Sequence, residues 1–144
     1  MDKIKSFAAL DGITITGGEP FDQHEALYRL VLGAREAGIS DIMLYSGYRC
    51  AYIEANYSPI LNLTAALVGE PFILERETEK LWKGSDNQNM IILTKDESLR
   101  TAYVKYRDET AAKRALQIVD DEQGYFIIGI PNQKHSEAIR KNGF

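Results

Sequence analysis

Apolar and polar positions change period several times along the chain, and each change marks an element. Ile13-Thr14-Ile15-Thr16 is β-branched throughout and stops at Gly17-Gly18, the pattern of a short strand running into a turn. Leu27, Leu30, Val31 and Ala34 then recur at helical spacing. Asp22 stands as the expected N-cap, Glu25 follows as in a capping box, and Gly38 closes the helix. Asp41-Ile42-Met43-Leu44-Tyr45 reads as a second strand, stopped by Ser46-Gly47. The segment Tyr48 to Thr64 is mixed and predicts two short helices broken at Pro59. Ala66-Leu67-Val68-Gly69 predicts a third strand and Met90-Ile91-Ile92-Leu93-Thr94 a fourth, joined by a long polar connection over 75–89. Residues 99–106 alternate too weakly to assign. Glu109 to Val119 predicts a helix with Ala112, Ala115, Leu116 and Val119 on one face. Tyr125 to Ile130 predicts a last strand ended by Pro131, and 133–141 a terminal helix.

Strands alternating with helices call for an α/β domain with a mainly parallel sheet. In such folds chemistry sits at the C-terminal strand ends. Three loops lie there: Gly17-Gly18-Glu19-Pro20, Ser46-Gly47-Tyr48 and Gly69-Glu70-Pro71. The first is the most informative. Two glycines let a ligand approach the backbone, Glu19 adds a carboxylate suited to an ammonium or hydroxyl, and Pro20 fixes the turn. The plain alternative is a tight strand-to-helix turn with an exposed glutamate.

Composition narrows the function classes. The 144 residues predict one domain, residues 1–144, with 95–144 its C-terminal extension. The net charge of −4 comes from 17 basic residues scattered among 21 acidic ones, which offers no basic face for nucleic acid. No apolar run is long enough for a membrane helix, and the first residues lack the apolar core of a secretory signal, so the expected location is cytoplasmic. One cysteine, Cys50, forms no internal disulfide and no thiolate metal cage. Tyr45, Tyr48, Tyr52 and Tyr57 offer either a stacking surface or ordinary half-buried packing. His24, just past the glycine turn, reads first as a surface histidine, and His135 has no assigned role. Trp82 reads as an anchor for the 75–89 connection, and Glu75, Arg76, Glu77, Glu79 and Lys80 as a solvated charged run, with a partner-facing surface the second reading.

These residues also carry a resemblance. Gly12 to Pro20, ending Gly17-Gly18-Glu19-Pro20, resembles the GGEP strand of radical S-adenosylmethionine enzymes. Asp41 to Tyr48 is similar to the next strand of the small glycyl-radical activating enzymes, especially those serving anaerobic ribonucleotide reductase. Leu67-Val68-Gly69-Glu70-Pro71-Phe72 resembles that group's following strand, which usually ends in an acidic residue and Gly-Pro-Phe. Leu81 to Gln88 resembles its Arg-Gly-Ser-Ser-Asn-Gln stretch. The resemblance covers residues 12 to about 94.

It implies a partial (β/α) barrel of the radical S-adenosylmethionine type. It implies S-adenosylmethionine as cofactor, its methionine amino group held at Thr16, Gly17, Gly18 and Glu19, with Ser46 at the end of the next strand. It implies a [4Fe–4S] cluster on a CxxxCxxC loop, and a glycyl-radical enzyme as partner. Here the chain departs from the pattern: the 16 residues before Gly17 hold no cysteine, and Cys50 stands at no expected ligand position. The first strand and the cluster loop are therefore expected to be missing, with no catalytic or metal residue assigned in this chain. The expectation is an activase-like chain that is inactive alone and is completed by a cysteine-bearing partner chain, or whose open sheet edge is covered in a homo-oligomer. The alternative is a non-catalytic binding or scaffold subunit that keeps the fold without the cluster.

Overall fold

The computed structural model describes residues 10–110, together with the backbone of two further strands, 117–121 and 124–128. The chain divides into two compact units, Met1–Glu109 and Thr110–Phe144. The elements of the first, in order, are β1 (Gly12–Ile15), a 3-10 turn (Pro20–Gln23), α1 (His24–Glu36), β2 (Asp41–Tyr45), α2 (Cys50–Asn56), α3 (Ser58–Leu61), β3 (Ala66–Gly69), a second 3-10 turn (Leu74–Arg76), β4 (Asn89–Ile92) and α4 (Glu97–Tyr106). In the second unit β5 (Gln117–Asp121) pairs antiparallel with β6 (Gly124–Ile128).

The sheet of the first unit is open, four strands in the order β1-β2-β3-β4. β1, β2 and β3 are parallel, with Ile13 opposite Ile42 and Leu44 opposite Leu67. This is the mainly parallel α/β sheet expected. β4 runs antiparallel to β3, Gly69 facing Asn89. The reason lies in the connection: between β3 and β4 there is a 3-10 turn and a bridge from Glu77 to Ser85 but no crossover helix. Without a helix to carry the chain back, the next strand returns alongside its predecessor.

β2 shows why the parallel part holds. Ile42, Met43 and Leu44 are all buried, so the strand is covered on both faces. Ile42 and Leu44 join Leu67, Val31, Ile53 and Phe21 in the larger core, beneath α1, α2 and α3. Met43 joins Ala66 and Tyr103 in a smaller core, with Trp82 and Leu99 packed against it. Tyr103 is held there by a hydrogen bond from its hydroxyl to the Asp41 carboxylate. Trp82 lies 6.2 Å from the Tyr103 ring, and the Tyr45 hydroxyl donates to its carbonyl, so Trp82 does anchor the long connection.

Several local expectations are corrected. The helix start placed at Asp22 falls one turn earlier. Pro20 begins a 3-10 turn whose cap is Glu19, its carboxylate accepting from the Phe21 N–H. Gln23, the cap of α1, makes no side-chain bond. The break between the two short helices falls at Tyr57, and Pro59 sits in the first turn of α3, where its missing N–H costs nothing. Residues 99–106, too weakly patterned to assign from sequence, lie in α4, which is capped by the Asp96 carboxylate on the Leu99 N–H. The end of the helix expected over Glu109 to Val119, Gln117–Val119, is strand instead, paired with β6. Residues 111–116 of that span, residues 129–130 of the last strand and the helix over 133–141 lie outside the described residues.

Candidate functional site

Because β1, β2 and β3 are parallel, their C-terminal ends share one edge of the sheet. Thr16 and the Gly17-Gly18 turn leave β1 there. Gly17 and Gly18 have φ of +88° and +56°, conformations that side chains rarely adopt, and nothing lies within 4 Å of where a Cβ would stand on either. The turn is thus open above its backbone. Thr16 is exposed at its start.

Glu19 is the hub of this edge. Its Oε1 accepts from the Phe21 N–H at 3.1 Å and from the Ser46 hydroxyl at 2.8 Å. Its Oε2 accepts from the Gly47 N–H at 2.8 Å. One carboxylate therefore ties the turn after β1 to the turn after β2. Ser46 is 6% exposed, and its Oγ in turn accepts from the Tyr48 N–H at 3.0 Å. A carboxylate has about four acceptor positions. Three are filled, which leaves Oε2 able to take one more donor beside the open glycine turn. The structure therefore brings Gly17, Gly18, Glu19 and Ser46 together, with Thr16 at the rim.

The third loop joins the same edge. Glu70 has φ of +82°, in the left-handed region that favours glycine. Its N–H donates to the Tyr48 carbonyl at 2.9 Å, and its Oε1 accepts from the Cys50 N–H at 3.1 Å, capping α2 from a distant part of the chain. The neighbour Gly69 is required by packing: a Cβ there would stand 2.5 Å from the Cys50 sulfur. Gly47 as a donor, the strain at Glu70 and its cap on α2 are what sequence reasoning missed.

Three of the four tyrosines form a row beside the site. Tyr48 and Tyr52 meet edge to face at 5.4 Å, Tyr52 and Tyr57 at 6.0 Å. The Tyr48 hydroxyl donates to the Asp22 carboxylate, and this bond pushes its pKa up to about 12. Tyr45 is not in the row; it belongs to the smaller core. Its burial raises its pKa to about 12. His24 is exposed, its ring tilted by 42° to that of Tyr57 at 5.4 Å, which matches its surface reading.

Cys50 is buried, its thiol 3.9 Å from the Asn89 carbonyl, and burial pushes its pKa up. Among the described residues no group of three His, Cys, Asp or Glu side chains converges as a metal site. A [4Fe–4S] cluster needs several thiolates, and Cys50 is the single cysteine of the 144 residues, so they do not fit that group. Among the same residues no helix is long and apolar enough to cross a membrane.

Comparison with known proteins gives the family. The profile of the 4Fe-4S single cluster domain matches residues 1–91. The anaerobic ribonucleoside-triphosphate reductase-activating protein of Salmonella typhi is 31% identical over 81 residues, which cover 54% of this chain and 53% of that protein. The chain therefore spans about half the length of this relative. No solved structure matches. With more than half of its length matched, the chain belongs to the 4Fe-4S single cluster domain family and is related to the radical S-adenosylmethionine activases of glycyl-radical enzymes.

Proposed function

We propose that this chain is the cofactor-holding part of a glycyl-radical activase, built on a partial (β/α) barrel, which binds S-adenosylmethionine at the C-terminal edge of β1 and β2. The observation that supports it most is Glu19: a carboxylate pinned by three donors, with one acceptor position left, beside an open glycine turn. An ammonium such as that of a methionine moiety meets there one carboxylate oxygen and the bare backbone of Thr16, Gly17 and Gly18. Ser46, donating to the other oxygen, Oε1, fixes the orientation of the carboxylate. When bound, S-adenosylmethionine supplies a sulfonium that one-electron reduction cleaves. The chain's own residues bind and orient it. A cluster would have to come from cysteines outside these 144 residues, and no step is assigned to it. The protein substrate, by analogy with the relative's name, is an anaerobic ribonucleoside-triphosphate reductase.

Calorimetric titration with S-adenosylmethionine, with and without a cysteine-bearing partner, tests this. Glu19→Ala should weaken binding by about tenfold to a hundredfold, the worth of one charge-assisted hydrogen bond of about 1.5–3 kcal/mol. Equal affinity for the variant, or no heat under either condition, would leave the reading without support. The absence of a thiolate set among the described residues favours a second reading, a non-catalytic subunit that keeps the fold. Anaerobic reconstitution separates the two: about four irons per complex with a partner support the activase, none supports the subunit.

A further inference from the structure

The turn after β2 is held from two sides. On one side stands Glu19: its Oε1 takes the Ser46 hydroxyl and its Oε2 the Gly47 N–H, both at 2.8 Å. On the other side stands the end of β3. The Ser46 N–H donates to the Val68 carbonyl at 3.0 Å, the Glu70 N–H donates to the Tyr48 carbonyl at 2.9 Å, and the Cys50 N–H donates to Glu70 Oε1 at 3.1 Å. Gly69 lets the two segments come together, since a Cβ there would also stand 3.2 Å from the Tyr48 carbonyl oxygen. Of the bonds from the β3 side, those to Tyr48 and Cys50 both belong to Glu70.

Glu70 is itself over-determined. Its carbonyl accepts from the Gln88 amide at 3.3 Å, and Gln88 is fixed by the N–H groups of Gly84 and Ser85 at 2.7 and 3.1 Å. N–H, carbonyl and carboxylate are thus all engaged, while φ stands at +82°, a costly conformation for a residue with a Cβ. A strained backbone persists only where its surroundings fix it, and such residues gather at functional sites. The bonds of Glu70 say which site: they end on the turn whose Gly47 N–H ends on Glu19.

The consequence is geometric. Oε2 of Glu19 is the oxygen with an acceptor position to spare beside the glycine turn, and its present donor is the Gly47 N–H. Where Gly47 stands therefore sets where the spare lone pair points. A loose turn would leave Oε2 averaged over several directions. A clasped turn presents it in one, and spares a ligand the cost of ordering it.

We infer that Glu70 is the positioning residue of the candidate site: by clasping the turn 46–50 against the end of β3 it fixes the Gly47 N–H, and through it the Glu19 oxygen that receives a ligand ammonium. Glu70 touches no ligand in this role. That the ammonium belongs to S-adenosylmethionine rests on the function proposed above; the hold on Glu19 does not.

Two measurements on the full chain test it. The first needs no ligand and follows amide hydrogen exchange by nuclear magnetic resonance. In Glu70→Ala the turn opens more readily, because the bond to Cys50 no longer opposes opening and the strain is relieved on opening. The Gly47 amide should exchange at least about tenfold faster, while the Phe21 amide, which donates to the same carboxylate from Glu19's own side, stays within about twofold. Glu70→Gln keeps an acceptor for the Cys50 N–H and should bring Gly47 back to within about threefold of the native rate. An unchanged Gly47 rate in Glu70→Ala overturns the inference, as does equal acceleration of Phe21, which means general loosening. The second is calorimetric titration with S-adenosylmethionine in a double-mutant cycle. Glu70→Ala should weaken binding about tenfold in the native chain and less than about twofold in Glu19→Ala. Equal losses in the two backgrounds overturn the inference, because the effect then does not pass through Glu19. No S-adenosylmethionine binding by the native chain, with Gly47 responding as expected, overturns the proposed function and leaves the hold on Glu19 standing. Binding with an unmoved Gly47 does the reverse.

Discussion

Glu70 is the residue whose geometry departs furthest from what its type favours. A non-glycine at φ of +82° costs about 1–2 kcal/mol. It is offset in part by the hydrogen bond its carboxylate accepts from the Cys50 N–H. Two variants separate these terms. Glu70→Ala keeps the strain and loses the bond, so it should be less stable than the native chain. Glu70→Gly loses the bond and the strain together, and should be about 1 kcal/mol more stable than the alanine variant by urea denaturation. Equal stabilities of the two would show that the backbone is not strained there. At this scale the glycine turn was legible: Gly17, Gly18 and Glu19 stood out by type and order, while Ser46 was pointed to by the family resemblance. What pairs Glu19 with Ser46 and Gly47 was not legible, because 27 and 28 residues separate them and only strand register brings them together.

Among the elements, the segment from Gly84 to Gln88 changes most between sequence and structure. As sequence it is part of a long polar connection. As structure it is a brace with Ser85 wholly buried. Gln88→Leu would leave the N–H groups of Gly84 and Ser85 and the Glu70 carbonyl without their side-chain partner. We expect a loss of about 2–3 kcal/mol in urea denaturation, the scale of buried polar groups left unpaired, against about 1 kcal/mol for Ser85→Ala. A loss below 0.5 kcal/mol, roughly that of a surface change, for Gln88→Leu would mean the brace is not formed. Polar residues read as loop because side-chain bonds to distant backbone carry no periodic signature. The helix at 97–106 was hidden for a related reason: few of its residues are buried, so its apolar stripe is thin, and its clearest mark is the Asp96 cap.

For the whole molecule, the tyrosines predict how stability depends on pH. Tyr45 and Tyr48 have pKa values raised to about 12, by burial and by the Asp22 bond respectively, and Tyr103 is raised further by burial and by Asp41. A raised folded pKa favours the protonated phenol in the native state. The stabilisation is therefore complete below the ordinary tyrosine value of about 10 and is lost as pH rises through the folded values. Denaturant midpoints should be level from pH 8 to 9.5 and fall between pH 10 and 12, and Tyr103→Phe should flatten that fall. A flat profile to pH 12 would show that these phenols titrate normally. The alternation of strand and helix by itself determined the α/β class, the parallel β1-β2-β3 core and the position of the glycine turn, because burial on both faces forces continuous apolar strands and helical spacing between them. Only the tertiary structure decided that β4 turns back antiparallel, that Glu19 closes on the next strand's turn, and that Glu70 clasps that turn from the end of β3. Each of those depends on which distant backbone groups a side chain reaches, and strand register, not local pattern, sets that reach.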